Sequence, residues 1–365
     1  MLRRIGILTG GGDAPGLNAV IRAFVKAGVR HRNLAIVGVE DSFNGLLDTP
    51  RRLRTLDLPS CRGLLHLGGT VLGTTNRGDP FAWPSPEGSR DRSRALAVAV
   101  ADEGIEGLVV IGGDGTQAIA HGLMTRVGIP VIGVPKTIDN DLAATDVTFG
   151  FQSAVDCATD ALDRLHATAE AHDRIMILEV MGRDAGHIAL HAGVAGGADV
   201  ILVPEIAWNA ESVAAKINAR RAVGRPFSLV VVAEGSLPDD GDARPARERL
   251  RAGHGAGAIA AAALHRVLDA DIRVTVLGHL QRGGSPVAVD RILATRFGVH
   301  AANLAAERRW GRLVALQNGA VVDVPLGDAV GGVRLLSPQT DPLVAVARQT
   351  GIAFGDEPTA FSAEG

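Results

Sequence analysis

Short apolar runs alternate with helical patterns along most of this 365-residue chain. The runs are rich in Val, Ile and Leu and end abruptly in glycine or charged residues, as buried parallel strands do. They predict strands at residues 4–8, 35–39, 107–111, 131–134, 174–180, 200–203, 228–232 and 273–277. Between them, the periodicity predicts helices at residues 17–29, 92–103, 116–127, 152–169, 185–195, 210–222, 257–268 and 289–307. This alternation predicts an α/β fold with helices on both faces of mostly parallel sheets.

The length of the chain predicts about two domains. We expect both to be Rossmann-like, with three layers and mostly parallel sheets. The first is expected to contain residues 1–150 plus about 283–312, because the helix from Val289 can return to it. The second is expected to contain residues 151–282 plus about 313–350.

Charge and composition exclude several classes of function. A net charge of -3 gives no overall attraction to nucleic acid or to an anionic membrane. No apolar run approaches the roughly 18 residues that a membrane span needs. The two cysteines, Cys61 and Cys157, are interpreted as small residues of a reduced protein, so we expect a cytoplasmic location.

The first predicted strand runs into Gly10-Gly11-Gly12-Asp13, directly before a predicted helix. Glycines let backbone N–H groups approach a phosphate closely, and a helix N-terminus adds partial positive charge. The loop is not a Walker A motif, because no Gly-Lys-Ser/Thr follows, and it is not a clean GxGxxG. By itself, it fits a structural turn as well as a phosphate site.

A second glycine loop, Gly112 to Thr116, follows the strand at 107–111. Its Asp114 stands between glycines, where a carboxylate can hold Mg²⁺ directly or through water. Thr116 can cap the next helix. The simpler interpretation is a turn followed by a capped helix.

The third loop, Pro135 to Asp141, carries the most specific chemistry. A carboxylate at Asp139 can accept the proton of an attacking hydroxyl. Thr137 can donate a hydrogen bond to a transferring phosphoryl group, and Lys136 can neutralise the charge that develops there. The alternative is a solvated acidic turn. Together, the three loops predict phosphoryl transfer to a hydroxyl.

The order of these and later motifs resembles the 6-phosphofructokinase family over roughly residues 3–310. The motifs are GGDAPGLN, GGDGT, PKTIDND, Met181-Gly182-Arg183, Ala233-Glu234-Gly235 and Leu277 to Pro286 (LGHLQRGGSP). The resemblance implies transfer of a phosphoryl group to the C1 hydroxyl of D-fructose 6-phosphate, the committing step of glycolysis. It also implies an active site in the cleft between the two domains.

The same resemblance assigns roles to individual residues. It makes Asp139 the catalytic base, with Thr137, Arg183 and Lys136 assisting, and Asp114 the Mg²⁺ ligand. The residues implied to bind ATP are Gly11, Arg77, Gly113, Asp114, Gly115 and Thr116. The residues implied to bind fructose 6-phosphate are Thr137, Asp139, Arg174, Met181, Gly182, Arg183, Glu234, Arg273, His279 and Arg282.

Two features of the implied site concern its arginines. Arg174 and Arg273 would reach the sugar phosphate from a neighbouring subunit, so a homodimer or homotetramer is expected. The segment Gly73 to Arg77 replaces a shorter Gly-x-x-Arg of the family. Either Arg77 fills the role of the arginine that bridges both substrates, or that arginine is absent.

The phosphoryl donor depends on two positions, 115 and 136. Pyrophosphate users of the family resemble Gly-Gly-Asp-Asp with Pro-Lys-Thr-Ile-Asp-Asn-Asp, whereas typical ATP users have glycine at both places. This chain combines Gly115 with Lys136, as the mixed-substrate subgroup does. An aspartate at 115 would repel a nucleotide phosphate 4 Å away by roughly 4 kcal/mol at an effective dielectric of 20. We therefore predict ATP, with a pyrophosphate-dependent enzyme as the alternative.

A third hypothesis is a non-catalytic sugar-phosphate sensor on the same fold. A sensor is expected to lack the base or the metal ligand. Both Asp139 and Asp114 are present, so the sequence favours an enzyme.

Overall fold

The predicted strands are all present in a computed structural model of the chain, which describes residues 2–239, 248, 250 and 252–357. In chain order the strands are β1 (Arg3–Thr9), β2 (Leu34–Val39), β3 (Leu53–Leu56), β4 (Trp83–Ser85), β5 (Gly88–Arg90), β6 (Gly107–Gly112), β7 (Val131–Thr137), β8 (Phe149–Gly150), β9 (Ile175–Val180), β10 (Val200–Leu202), β11 (Ser228–Ala233), β12 (Ile272–Val276), β13 (Arg312–Gln317) and β14 (Ala320–Pro325).

The predicted helices are also present, with small shifts at their ends. The α-helices are α1 (Leu17–His31), α2 (Asn44–Leu47), α3 (Ser93–Asp102), α4 (Asp114–Val127), α5 (Phe151–His172), α6 (His187–Ala195), α7 (Ala210–Ala222), α8 (Ala256–Leu264), α9 (Ala288–Ala306) and α10 (Pro342–Gln349). No helix in the described part of the chain is long and apolar enough to cross a membrane.

The described residues form two compact units. The first contains the residues up to Ile138, then Leu142–Ser153 and Arg282–Val333. The second contains Asp139–Asp141, Ala154–Gln281 and the described residues from Arg334 onward.

The sheet of the first unit has the strand order β14-β13-β7-β6-β1-β2-β3, and β8 pairs with β7. Its central strands are parallel, whereas β3 and β14 are antiparallel to their neighbours. Thr9 pairs with Ile111, and Gly112 pairs with Pro135. Since the carboxyl ends of parallel strands meet at one edge, this register places the three predicted loops side by side.

Successive residues of a strand point to opposite faces of the sheet. Both faces carry apolar side chains here, and helices cover both. Ile7 packs in one apolar cluster with Phe24 of α1 and Phe297 of α9. Its neighbour Leu8 packs in another, with side chains of α3 and α4. The first unit therefore has three layers.

The second unit contains a parallel sheet of order β10-β11-β9-β12. Ile177 and Val232 pack against side chains of α7 and α8 on one face. On the other face, Met176 packs against Ala169 of α5. Ala233 pairs with Val180, so the residues that follow β9 and β11 are neighbours at one sheet edge.

The C-terminal boundary differs from the expected one. Residues 313–333 were expected in the second domain, but they belong to the first unit. The reason is that β13 adds to the first sheet beside β7, where Leu313 pairs with Gly133 and packs with Leu108. β3, β13 and β14 lie at or next to a sheet edge, and the sequence pattern did not predict them. Half-exposed strands lack the long apolar run that marks a central strand.

Candidate active site

The glycine loop after β1 is joined to the segment 74–77. The N–H of Gly11 donates to the Thr75 carbonyl at 3.1 Å, and Thr74 Oγ1 donates to the Gly11 carbonyl at 2.6 Å. Gly11 has φ 77°, a left-handed conformation that favours glycine. The exposed Arg77 donates its own N–H to Thr75 Oγ1 at 2.9 Å. This backbone contact lies next to the glycine loop, and the role of Arg77 as the bridging arginine stays a prediction.

The second glycine loop leads directly into α4, whose N-terminal residue is Asp114. Thr116 therefore lies inside the helix, and the expectation that it caps the helix is wrong, because Gly113 occupies the cap position. Thr116 is buried between two strand ends instead. A Cβ at Gly112 would lie 2.4 Å from Thr116 Cβ, and one at Gly10 would lie 2.7 Å from Thr116 Cγ2. Both glycines are needed for this close packing.

The Asp114 carboxylate suits a magnesium ion that is shared with a substrate. Within the described residues, no hydrogen bond or ion pair engages this half-buried carboxylate. The same residues contain no cluster of three or more His, Cys, Asp or Glu side chains that could hold a metal alone. Mg²⁺ typically takes one or two carboxylates, substrate phosphates and water. A single Asp114 at a helix N-terminus, next to glycine N–H groups, fits that pattern.

Lys136 lies against the first glycine loop and is almost completely buried. Its Nζ donates a hydrogen bond to the Gly12 carbonyl, and a Cβ at Gly11 would lie 3.5 Å from it. Arg282 reaches the same loop, where Nη1 donates to the Asp13 carbonyl at 3.0 Å. The first unit thus brings two cations, Lys136 and Arg282, to the region where β1, β6 and β7 end and where Asp114 begins α4.

In the second unit, Asp139 lies near Arg183. The Asp139 side chain is buried, and its Oδ2 is 3.9 Å from Arg183 Nε. Arg183 has φ 53° and Gly182 has φ 146°, so the turn after β9 is left-handed at two successive residues. Glu234 Oε1 accepts the N–H of Gly182 at 3.2 Å and that of Arg183 at 2.8 Å. Glu234 therefore stabilises the turn that presents Arg183.

Two glutamines without a predicted role support these loops. Gln281 is fully buried, accepts the Met181 N–H at 2.7 Å and donates to the Ala154 carbonyl at 3.3 Å. Gln117 Nε2 donates to carbonyls of β6 and β7, those of Val110, Gly112 and Val134. Gln281 stands inside the quoted motif LGHLQRGGSP, between the exposed His279 and the half-buried Arg282, and this position is the signal that could have identified it. For Gln117, the only sequence signal is its position directly after the GGDGT motif.

Arg174 and Arg273 lie together at the surface of the second unit. Asp271 binds both, at 2.7 Å from Arg174 Nε and 3.0 Å from Arg273 Nη2. The hydrogen bond from Arg174 lowers the pKa of this carboxyl below its usual range. Arg273 is exposed on β12, an edge strand of the sheet, and Arg174 is half-buried.

Comparison of this sequence with known proteins identifies the family to which it is similar. The family model described as phosphofructokinase matches residues 4–305. The chain is 52% identical to an ATP-dependent 6-phosphofructokinase of Chloroflexus aggregans, over 97% of this chain and 98% of that protein. It is 45% identical to a pyrophosphate–fructose 6-phosphate 1-phosphotransferase of Streptomyces coelicolor, over 96% of this chain and 100% of that protein.

Solved structures agree with the sequence comparisons. The phosphofructokinase structure of Saccharomyces cerevisiae matches with a TM-score of 0.75 and 31% identity. The match covers 96% of this chain and 47% of the yeast chain.

Proposed function

This chain belongs to the phosphofructokinase family, and we propose that it transfers a phosphoryl group from ATP to the C1 hydroxyl of D-fructose 6-phosphate. The products are fructose 1,6-bisphosphate and ADP. The relative named as an ATP-dependent 6-phosphofructokinase is 52% identical to this chain, whereas the one with a pyrophosphate-dependent name is 45% identical. The enzyme is then a phosphotransferase that acts at the committing step of glycolysis.

One segment carries the proposal, the run from Lys136 to Asp139 at the end of β7. Lys136 contacts the glycine loop, which suits a phosphate chain. Three residues later, the buried Asp139 lies 3.9 Å from Arg183, which suits a base beside a cation. One short stretch of chain thus holds a phosphate-binding group and a proton acceptor.

The chemistry follows from these groups. Asp139 accepts the proton of the C1 hydroxyl as the oxygen attacks the terminal phosphorus of ATP. Arg183 and Lys136 stabilise the negative charge on the transferring phosphoryl group, and Thr137 donates a hydrogen bond to it. Asp114 would hold Mg²⁺ together with donor phosphates, and the ion would supply further charge neutralisation when bound. Gly11, Gly113, Gly115 and Thr116 line the donor phosphates, and Arg77 bridges donor and acceptor.

We also propose which residues bind the acceptor. Met181, Gly182 and Glu234 surround the sugar, while His279 and Arg282 bind its 6-phosphate. Arginine suits this dianion because its planar guanidinium binds two phosphate oxygens at once. The shared carboxylate of Asp271 keeps Arg174 and Arg273 together, and we propose that they reach the 6-phosphate of a neighbouring subunit.

The enzyme is proposed to be a cytoplasmic homodimer or homotetramer. The free thiols of Cys61 and Cys157 fit a reducing compartment. In such an oligomer we propose that each site takes residues from two chains, and that Arg174 and Arg273 are the residues shared.

A pyrophosphate-dependent enzyme is the second candidate. The Streptomyces coelicolor relative, 45% identical to this chain, carries a pyrophosphate-dependent name. Lys136 fits either donor, since it contacts a loop that would hold phosphate groups of both. Gly115 favours ATP for the electrostatic reason given above.

Initial rates decide between the two donors. We expect faster turnover with MgATP than with Mg-pyrophosphate at saturating fructose 6-phosphate. Replacing Asp139→Asn should lower kcat by about 10²–10⁴-fold with the preferred donor, as expected for loss of a general base. The exposed Asp160→Asn is a matched control that changes an acid on the surface of α5.

Two results would contradict the proposal. A higher rate with Mg-pyrophosphate than with MgATP would show that pyrophosphate, and not ATP, is the preferred donor. An Asp139→Asn variant with the turnover of the Asp160→Asn control would remove Asp139 from the mechanism.

A further inference from the structure

The chain after β14 returns to the loop that carries Asp139. The N–H of Arg334 donates to the Asp141 carbonyl at 2.7 Å. The Arg334 side chain donates to the Asn140 carbonyl, at 2.7 Å from Nη2 and 3.2 Å from Nε. One residue therefore binds the backbone of the two residues that follow Asp139.

These carbonyls belong to a strained and buried loop. Asn140 has φ 54°, a left-handed conformation, and both Asn140 and Asp141 are nearly inaccessible. Such a conformation persists only where its surroundings hold it, and a buried carbonyl needs a hydrogen-bond donor. Arg334 supplies donors to both carbonyls.

Arg334 is itself held in place by neighbours of Arg183. His187 Nε2 lies 3.0 Å from the Arg334 carbonyl, and since a carbonyl only accepts, the imidazole carries its proton there. Glu205 Oε1 accepts the Leu336 N–H at 3.0 Å and the Gly186 N–H at 2.9 Å. The segment 334–336 is thus anchored to the residues just after the Arg183 turn.

We propose that Arg334 is a positioning residue for phosphoryl transfer, which fixes the Asn140–Asp141 backbone so that Asp139 stays beside Arg183. The inference rests on the proposed role of Asp139 as the base. Residue 334 lies outside the segment that the family model matches, 4–305, and outside every motif identified in the sequence. A misplaced base lowers the rate of the chemical step more than it weakens binding of the sugar, because alignment matters most in the transition state.

A role in stability alone predicts a different result, and Arg348 provides the matched control. Arg348 also belongs to the C-terminal segment of the second unit, and it binds Asp356 and Glu357, away from the Asp139 loop. Arg348→Ala removes an arginine and its ion pairs from this segment without touching the loop.

The experiment compares Arg334→Ala, Arg334→Lys and Arg348→Ala with the wild-type chain. For each, kcat, KM for fructose 6-phosphate and thermal stability are measured with the preferred donor. We expect Arg334→Ala to lower kcat by about tenfold or more, with KM changed by less than about threefold. Arg348→Ala should keep the wild-type kcat at a similar loss of stability. Adding guanidinium at low millimolar concentration should partly restore Arg334→Ala, relative to the same concentration of NaCl.

Arg334→Lys tests the proposal should the alanine variant fail to fold. Lysine keeps the charge and the backbone N–H but loses the planar pair of donors to Asn140. The kcat of Arg334→Lys should therefore lie between that of Arg334→Ala and that of Arg348→Ala. Wild-type kcat in Arg334→Lys would overturn the inference, as would an equal loss of kcat in Arg334→Ala and Arg348→Ala. An inactive wild-type chain would refute the proposed function instead, so the two failures are distinguishable.

Discussion

Gly115 is the residue at which we predict that the absence of a side chain selects the phosphoryl donor. It is exposed in the first turn of α4, and a Cβ built on it meets no other atom within 4 Å. Packing therefore does not require glycine here, in contrast to Gly10 and Gly112, where a Cβ would overlap Thr116. Glycine also costs a helix up to about 1 kcal/mol relative to alanine. The ligand, rather than the fold, is the reason that we infer for a glycine at this position.

We predict that Gly115→Asp lowers kcat/KM for ATP by at least about tenfold, through repulsion between the new carboxylate and the nucleotide phosphates. The variant should fold normally, because the position is open and an acidic residue is favourable at a helix N-terminus. Gly115→Ala is the control and should stay within about threefold of wild type. ATP kinetics that survive the aspartate would show that residue 115 does not select the donor.

At the scale of elements, α6 joins the C-terminal segment to the turn of Arg183. The helix begins at His187, whose buried ring holds the Arg334 carbonyl. Burial lowers the pKa of His187 to about 4, so the ring is neutral in the folded protein near pH 7. An unfolded histidine titrates near 6.5, so between about pH 6.5 and 4 the unfolded chain binds the additional proton. Stability is therefore lost as the pH falls through this window.

We predict that His187→Gln flattens this loss, because glutamine can still donate to the Arg334 carbonyl but does not titrate. The wild-type free energy of unfolding should fall by about 3 kcal/mol more than that of the variant between pH 7 and pH 4. Denaturant unfolding at several pH values measures the difference. The exposed His265→Gln serves as the control and should keep the wild-type slope. Equal slopes for His187→Gln and wild type would refute the prediction.

Burial also raises the pKa of the neighbouring Glu205, which acts in the opposite direction. A carboxyl that is protonated more easily in the folded state stabilises the protein as the pH falls. Comparing the variant with the wild type at each pH separates the histidine from this carboxyl, because both proteins contain Glu205.

At the scale of the whole molecule, we predict a subunit contact at the outer edge of the second sheet. The edge strand β12 exposes Val276, and the following turn exposes Leu280, with relative accessibilities of 55% and 69%. Apolar groups at an unpaired strand edge favour association with another chain. Arg273 lies on the same strand, so an interface there would bring the arginine pair to a neighbouring subunit.

Complementation between two inactive variants tests this arrangement. Asp139→Asn is expected to lack the base, and the double variant Arg174→Ala with Arg273→Ala is expected to lack the shared cations. When the two are coexpressed and the mixed oligomer is isolated, each mixed pair should hold one intact site and recover activity. Activity no greater than that of the separate variants would contradict sites that are shared between subunits.

Local sequence patterns sufficed for the strands with long apolar runs, for most helices and for the loops at the ends of those strands. These features depend on near neighbours in the chain: an apolar run marks a buried strand, and a glycine run at its end marks a turn whose N–H groups a phosphate can approach. The combined motifs were also enough to indicate the family, which the match over residues 4–305 confirms. The roles of individual residues at those loops stay predictions, to be tested as described.

Other features depend on contacts between residues far apart in the sequence, and only the tertiary structure decided them. Residues 312–325 join the first sheet because β13 pairs with β7 and β14 pairs with β13. No local sequence pattern predicts this pairing. Arg334 and Asn140 meet across 194 residues of sequence. The sequence by itself determined which functional groups stand at the strand ends, because the type of each residue fixes its carboxylate, cation or backbone N–H group. The fold decided which distant side chains hold those ends in place, because a buried carbonyl or N–H takes whichever partner the packing brings to it.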